Sequence, residues 1–100
     1  MRSALILISL LLHIATNSFY GPVVQLTMPK RKGLDRQNRT VEPFTTNYQL
    51  RKIISQTFQI PRTSFIALNK DGYDIDLENH DIVTGLSYDQ PLELTILLKS

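Results

Sequence analysis

Apolar residues alternate with other residues along two stretches of the chain, and each alternation predicts a β-strand. Residues 22–28 place an apolar side chain at every second position, which is the period of a strand with one buried face. Residues 92–99 show a longer and more apolar alternation of the same kind. We expect this last strand to lie centrally in a sheet and to pair with the first. The inward residues of the two strands are then Val24, Leu26, Met28, Leu92, Leu94, Ile96 and Leu98.

A helical period replaces this alternation between residues 46 and 59. Thr46 has the residue type of an N-cap, and Gln49 three residues later completes a capping box. Pro61 ends the helix, because the residue before a proline is pushed out of helical geometry. The sequence therefore predicts a helix over about residues 46–59 with one apolar stripe, formed by Leu50, Ile53, Ile54 and Phe58. Four residues lie off the stripe and are expected in solvent: Arg51, Lys52, Ser55 and Gln56.

A predicted hairpin precedes the helix. Residues 29–37 are polar and contain Gly33, so they predict a turn, and a returning strand is expected at residues 39–42. The turn is the most basic segment of the chain.

Shorter segments follow the helix. An apolar run predicts a strand at residues 65–68, a turn signal follows at residues 69–72, and residues 73–77 alternate with Ile75 and Leu77 inward. Residues 78–89 are expected to be irregular, with three apolar side chains reaching the core: Ile82, Val83 and Leu86. The whole order predicts an α+β fold, in which one helix packs on one face of a mixed sheet of four or five strands.

The first 18 residues differ in composition from the rest. Arg2 precedes an apolar run that reaches Ala15, and small or polar residues follow at 16–18. This is the layout of a secretory signal peptide, and the run is short for a membrane span. The alternative is an N-terminal extension or a buried element. A functional leader predicts the secretory pathway, whereas the lack of cysteine suits the cytoplasm, and residues 21–99 form the domain in either case.

The small net charge of +2 conceals two regions of opposite sign. Residues 21–62 carry eight basic and two acidic residues, a net charge of +6, and residues 63–100 carry two basic and seven acidic residues, a net charge of −5. Such a domain can attract an acidic partner at one end and a basic partner at the other.

The acidic region contains five candidate interaction residues: Asp71, Asp74, Asp76, Glu78 and Asp81. A regular strand would place the carboxylates at 74, 76 and 78 on one face. That face could bind a basic surface, such as the basic turn of a second copy of the chain. Two alternatives remain: a calcium site, although the ligand spacing of a calcium loop is missing, and a solvated sheet edge.

The basic turn contains five further candidates: Lys30, Arg31, Lys32, Arg36 and Arg39. These side chains could contact phosphates or an anionic membrane. Nucleic acid is disfavoured because no aromatic residues are interleaved with them. Asn38, in the sequence Asn-Arg-Thr, is a glycosylation site only if the chain is secreted.

Residues suited to catalysis are sparse. His80 is the only histidine outside the first 18 residues, and no serine or threonine stands in a nucleophile motif. Neither a phosphate-binding loop nor a cluster with metal-ligand spacing occurs. We expect no enzymatic activity and no cofactor or metal.

Two motifs on either side of the predicted helix resemble motifs of the ubiquitin-like superfamily. Val41-Glu42-Pro43 and Ile60-Pro61 stand at the separation found in ubiquitin itself. The second half is more similar to the ubiquitin-fold modifier family, through Phe58 to Pro61, Thr63-Ser64, Asn69 to Gly72 and Glu93 to Ile96. The resemblance covers residues 21–99 and implies a β-grasp fold that acts by binding, or being attached to, other proteins.

Two departures from the family limit what the resemblance implies. Conjugated members end in glycine, whereas this sequence ends at Ser100, so we expect no conjugation. The outward residues of the last strand are Glu93, Thr95 and Leu97, which dilutes the apolar patch of ubiquitin, so partners of ubiquitin should bind poorly. The sequence predicts a small ubiquitin-like interaction protein that can also self-associate by charge. The alternatives are a secreted ligand or effector and a true modifier with a longer C-terminus.

Overall fold

The computed structural model describes residues 21–99, which form four strands and one helix in the predicted order. The signal-peptide prediction for residues 1–18 lies outside the described residues. The elements are β1 (Val23–Lys30), β2 (Gly33–Thr40), α1 (Asn47–Phe58), β3 (Phe65–Leu68) and β4 (Leu92–Leu98).

The four strands form one mixed sheet in the order β2-β1-β4-β3. The central pair, β1 and β4, is parallel, and the outer strands β2 and β3 run antiparallel to their neighbours. This confirms the prediction that the apolar last strand lies centrally and pairs with the first. The fold is the predicted α+β arrangement of a mixed four-stranded sheet with one helix.

The β1–β2 hairpin is longer than predicted. Residues 29–37 are not a polar turn, because β1 reaches Lys30 and β2 begins at Gly33, so that only Arg31 and Lys32 connect the strands. Gly33 has φ of +118°, a conformation that side chains rarely adopt and that lets a short connection reverse the chain. The strand escaped prediction because β2 is an exposed edge strand, which needs no apolar face.

Helix α1 has the predicted start and end. The Thr46 side chain accepts a hydrogen bond from the Gln49 backbone N–H at 3.2 Å, and the Gln49 side chain accepts one from the Thr46 N–H at 2.9 Å. At the other end, Gln59 adopts the left-handed conformation, and its N–H bonds to the Ser55 carbonyl. The capping box at the start of the helix therefore satisfies the backbone N–H groups of both Thr46 and Gln49.

The helix packs its apolar stripe on the sheet as predicted, with Leu50 and Ile54 fully buried. The prediction that all residues off the stripe are solvated is wrong for two of them. Only 15% of the Arg51 side chain is exposed, because its guanidinium reaches back to the Arg62 carbonyl at 2.8 Å. The Ser55 hydroxyl is part-buried because it donates to the Ile60 carbonyl beyond the helix end.

The core lies between α1 and the inner face of β1, β3 and β4, where most alternate residues are buried. The prediction that Leu98 faces the core is wrong, because this residue is the last of β4 and is 57% exposed. Strands β1, β3 and β4 each contribute two or more side chains to the core. The most deeply buried core residues are Val24, Leu26, Leu50, Ile54, Ala67, Leu94 and Ile96.

Residues 69–91 connect β3 to β4 without a regular strand. The predicted turn at 69–72 is present, since the Gly72 N–H bonds to the Asn69 carbonyl at 2.9 Å. Residues 73–77 form only one isolated bridge to β3, although Ile75 and Leu77 do pack on the core as predicted.

Two of the three predicted plugs of this segment reach the core. Val83 is buried and Leu86 packs against the core, but Ile82 is 52% exposed. The Val83 N–H bonds to the Thr45 carbonyl, and Ile82 forms a bridge with Thr46. In such extended pairing neighbouring side chains point to opposite sides, so that burial of Val83 directs Ile82 outward.

Candidate functional site

The five acidic candidates lie on the irregular segment, and all are exposed. No regular strand runs through residues 74–78, but Asp74, Asp76 and Glu78 nevertheless line one depression together. Tight turns shape this backbone instead: the Asp76 carboxylate accepts the Glu78 N–H at 2.9 Å, and Asn79 accepts the Asp81 N–H at 3.0 Å. The acidic residues are divided between two depressions, and Asp76 lines both.

The smaller depression, of about 310 Å³, has charges of both signs on its wall. Arg51 and Lys99 line it together with Asp74, Asp76 and Glu78. The Arg51 guanidinium lies 3.6 Å from the Glu78 carboxylate. Because two cations offset two of the three carboxylates, this depression has no strong preference for a charged ligand.

The larger depression is a groove of about 640 Å³ between the 69–73 turn, the 79–85 loop and the start of β4. Five apolar residues line it, namely Ile75, Ile82, Val83, Pro91 and Leu92. Four carboxylates and one ammonium group also line it: Asp71, Asp76, Asp81, Glu93 and Lys70. We call these ten residues the acidic groove. Its volume is in the range of protein sites that hold a ligand or an inserted side chain.

The loop beside the acidic groove is fixed to the start of helix α1. The Asn47 and Tyr48 N–H groups bond to the carbonyls of Asp81 and Asn79, at 2.9 and 3.1 Å. The buried Asn47 amide also donates to the Asn79 side chain at 2.8 Å. These bonds satisfy N–H groups that a helix start leaves unpaired, and the helix dipole favours nearby carboxylates. The groove wall is thus a rigid part of the fold.

The five basic candidates do not form one loop. Arg31 and Lys32 occupy the turn, whereas Arg36 and Arg39 lie within β2 and face opposite sides of the sheet, since they pair with Thr27 and Val24. Arg39 donates to the Thr57 hydroxyl of the helix at 3.0 Å. We call Lys30, Arg31 and Lys32, at the hairpin end, the basic tip.

Asp35 partly neutralises the basic tip. Its carboxylate lies 3.2 Å from the Lys30 ammonium and accepts a hydrogen bond from the Gln37 amide at 2.9 Å. The Gln37 hydrogen bond, followed by that from Lys30, lowers the pKa of Asp35 from its ordinary value. Arg31 and Lys32 therefore carry most of the charge that the tip presents.

The outer face of the sheet, opposite the helix, carries an apolar cluster. Ile66 of β3 pairs directly with Leu97 of β4, and Leu68 lies two pairs further along, opposite Thr95. All three apolar side chains are partly exposed. We call Ile66, Leu68 and Leu97 the outer-face cluster.

The sequence-based view of this face considered β4 alone and predicted a diluted patch. Strand β3 adds two apolar residues that the prediction left out. The signal was present in the sequence, because the run Phe65-Ile66-Ala67-Leu68 is apolar at four consecutive positions. Such a run makes both faces of a strand apolar.

An aromatic and basic cluster on the helix was also missed. The centroids of the Tyr48 and His80 rings lie 5.1 Å apart, and the Lys52 ammonium lies 4.9 Å from the centroid of the Tyr48 ring. The Arg62 guanidinium lies 3.4 Å from the Tyr48 hydroxyl. Only the Tyr48–Lys52 contact has a sequence signal, the spacing of four on a helix.

Other candidates of the described part can be placed briefly. Asn38 is exposed on β2, on the outer side of the sheet, where it pairs with Gln25. Within residues 21–99, no group of three or more acidic, histidine or cysteine side chains is arranged to hold a metal ion. The helix of this part of the chain is too short and too polar to cross a membrane.

Comparisons with known proteins agree with this architecture. The sequence matches no family model and no curated protein. Among solved structures, a ubiquitin-like domain of an Arabidopsis thaliana protein is similar with a TM-score of 0.58 and 15% identity, covering 79% of this chain and 80% of that one.

Two further structures show the same similarity. The ubiquitin-like domain of Plasmodium falciparum Dsk2 has a TM-score of 0.53 at 18% identity, over 77% of this chain and 99% of that one. The N-terminal ubiquitin-like domain in the 4931431F19Rik protein has a TM-score of 0.55 at 10% identity, over 79% and 77%. Residues 21–99 therefore have the ubiquitin-like β-grasp fold, as the sequence resemblance predicted.

Proposed function

We propose that this chain is a non-enzymatic, ubiquitin-like protein-interaction module that binds its partner with the outer face of the sheet. The observation that carries the proposal is the outer-face cluster, in which three apolar side chains lie together on two paired strands without cover from the helix. Leu34 at the far edge of the same face is 63% exposed. Apolar groups grouped on a surface with a polar surround are typical of protein interfaces.

The polar neighbours give this surface its selectivity. Thr95 and Glu93 occupy the outer side of β4, and Gln25 pairs beside Glu93 on β1. A partner must therefore offer apolar side chains to the cluster and hydrogen-bonding groups to the strand beside it. Such a requirement separates its partners from those of a purely apolar patch.

Partner capture from the native cell tests this function. The double variant Ile66→Ser, Leu97→Ser removes most of the apolar area without touching the core. The matched control is Lys52→Ser, Gln56→Ser, on the exposed side of the helix. We expect proteins captured by the wild type to be retained by the control and lost from the outer-face variant. Equal capture by both variants contradicts the proposal, provided both have the wild-type circular dichroism spectrum.

A secreted ligand or effector is the second candidate, because Asn38 is exposed within its Asn-Arg-Thr sequence. N-terminal sequencing of the native protein tests it, and a start near Phe19 would support it. Treatment with an N-glycosidase should then lower the mass of the wild type and leave Asn38→Gln unchanged. An intact Met1 and an unchanged mass exclude this candidate.

The similarity to the ubiquitin-fold modifier family leads to a separate proposal about conjugation. If the native protein is a modifier of this kind, it should form a thioester with the activating enzyme of that family. Incubation of the native protein with that enzyme and ATP, followed by non-reducing electrophoresis, measures this directly. A reducible adduct identifies a true modifier.

A further inference from the structure

We propose that copies of this chain associate head to tail, with the basic tip of one copy inserted into the acidic groove of the next. This inference goes beyond the proposed function, because neither surface includes the outer-face cluster. Its failure would leave binding through the outer face untouched.

The strand directions place the two surfaces at opposite ends of the sheet. The basic tip joins the end of β1 to the start of β2. The acidic groove contains Leu92 and Glu93 at the start of β4, which runs parallel to β1, and Lys70 and Asp71 after the end of β3. The eight residues of β1 correspond to about 25 Å at the usual rise of a strand. One copy therefore cannot fill its own groove.

The charges of the two surfaces are complementary. The groove carries four carboxylates against Lys70, and the tip presents Arg31 and Lys32, with Lys30 already paired to Asp35. Opposite charges at two ends of one domain align approaching copies head to tail and repel the same ends from each other.

The apolar part of the groove fits the same occupant. Long basic side chains bury their methylene stems while their charged ends stay near water or carboxylates. Ile75, Val83 and Leu92 can receive those stems, and the carboxylates at the rim can pair with the charged ends.

The arrangement has a definite symmetry. The two contacting surfaces differ, so a pair of copies retains a free groove on one copy and a free tip on the other. Contacts of this kind produce open chains, or rings if the rotation closes, and not closed twofold dimers. The size of the assembly should therefore grow with protein concentration.

Analytical ultracentrifugation of the native protein over a range of concentrations gives the first test. At about 0.01 M salt, where charges act over about 30 Å, we expect the average mass to rise with concentration beyond that of a dimer. At about 1 M salt, where the range is about 3 Å, we expect a monomer. A monomer under both conditions, or a dimer whose mass reaches a plateau, overturns the proposal.

Two charge variants separate the surfaces. The tip variant is Arg31→Glu, Lys32→Glu, and the groove variant is Asp71→Asn, Asp81→Asn, which removes two carboxylates without making the groove basic. Residues 71 and 81 enter their turns through backbone N–H groups, so the turns should survive. Each variant alone should be monomeric, with self-association weakened about tenfold or more. The control Lys52→Glu, Arg62→Glu makes the same charge change as the tip variant outside both surfaces and should assemble like the wild type.

Mixing the two variants gives the decisive result. The intact tip of the groove variant and the intact groove of the tip variant can still meet. The acidic tip of the tip variant is attracted to neither groove, and the groove variant has lost two of its four groove carboxylates. We expect an equimolar mixture to form a one-to-one dimer that does not grow with concentration. Assembly of either variant alone, or a mixture that stays monomeric, contradicts the proposal. If a Lys- and Arg-rich peptide binds the groove while the mixture stays monomeric, the partner is another basic protein and the self-association is wrong.

Discussion

The two faces of the sheet are built from alternate residues of the same strands, yet they differ in burial. On the inner face, Ala67 and Ile96 form a cross-strand pair that is fully buried. The neighbouring pair, Ile66 and Leu97, is similar but lies on the outer face, where both side chains stay partly exposed. The helix covers the first pair, and nothing in the described part of the chain covers the second in the same way.

Under the proposed function, this difference separates the residues that stabilise the fold from those that bind a partner. Burial of apolar area on the inner face stabilises the fold, whereas the outer pair keeps part of its area available for a partner. Substitutions on the two faces should therefore have different consequences. Inner-face changes lower the free energy of unfolding, and outer-face changes lower the affinity for the proposed partner.

The largest predicted effect comes from shortening one inner-face side chain. Ile96→Ala removes a fully buried side chain and leaves a cavity, so it should lower the free energy of unfolding by about 2–5 kcal/mol. Leu97→Ala, its neighbour on the outer face, should cost less than half as much. Urea unfolding followed by circular dichroism measures both. Equal losses would show that the two faces are buried alike.

The next effect concerns helix α1, which covers the inner face of the sheet. Thr46→Ala removes the side chain that caps helix α1 and should cost about 1 kcal/mol, within a range of about 0.5–2. Thr46→Ser retains the hydroxyl and serves as control. Comparable losses for both variants would mean that the cap contributes little and that packing alone holds the helix on the sheet.

A smaller effect of opposite sign is expected where the helix ends. Gln59 is in the left-handed conformation, which glycine adopts without steric cost, so Gln59→Gly should raise the free energy of unfolding by about 0.5–1 kcal/mol. Gln56→Gly, inside the helix, should lower it by about 1 kcal/mol. The same measurement compares them, and a loss at position 59 would contradict the assigned helix end.

The smallest effect is a pH dependence at the exposed edge of the sheet. Because the pKa of Asp35 is lowered in the folded chain, its carboxylate adds stability above its unfolded pKa of about 3.9, and this stability is lost as the pH falls through the folded pKa. Carboxyl NMR titration should show that Gln37→Ala and Lys30→Ala each raise the pKa of Asp35. An unchanged value in both variants would refute the assigned contacts.

Periodicity allowed the inner face and the helix to be predicted from sequence. The alternation around Leu26 and Ile96, the capping box at Thr46 and the stop at Pro61 all correspond to structure, because each reports local burial or backbone geometry. Strand β2 could not be predicted in full, since an edge strand that is polar on both sides leaves no periodic signal.

The candidate surfaces were less accessible to prediction, because each joins residues that are distant in sequence. The acidic groove combines Asp71 with Glu93, and the outer-face cluster combines Ile66 with Leu97. Their residue types could be identified, but only the pairing of β3 with β4 brings them together. The split of the acidic residues between two depressions depends on turns at Asn69 and Asp76 that no period describes.

NMR mapping of the isotope-labelled chain against a protein captured from its native cell tests the central claim most directly. Binding through the outer face predicts that the largest methyl shift changes fall on Ile66, Leu68 and Leu97. The buried methyl groups of Leu26 and Ile96 should change far less. Largest changes around the acidic groove or the Tyr48 ring, with the outer-face cluster unaffected, would contradict the account.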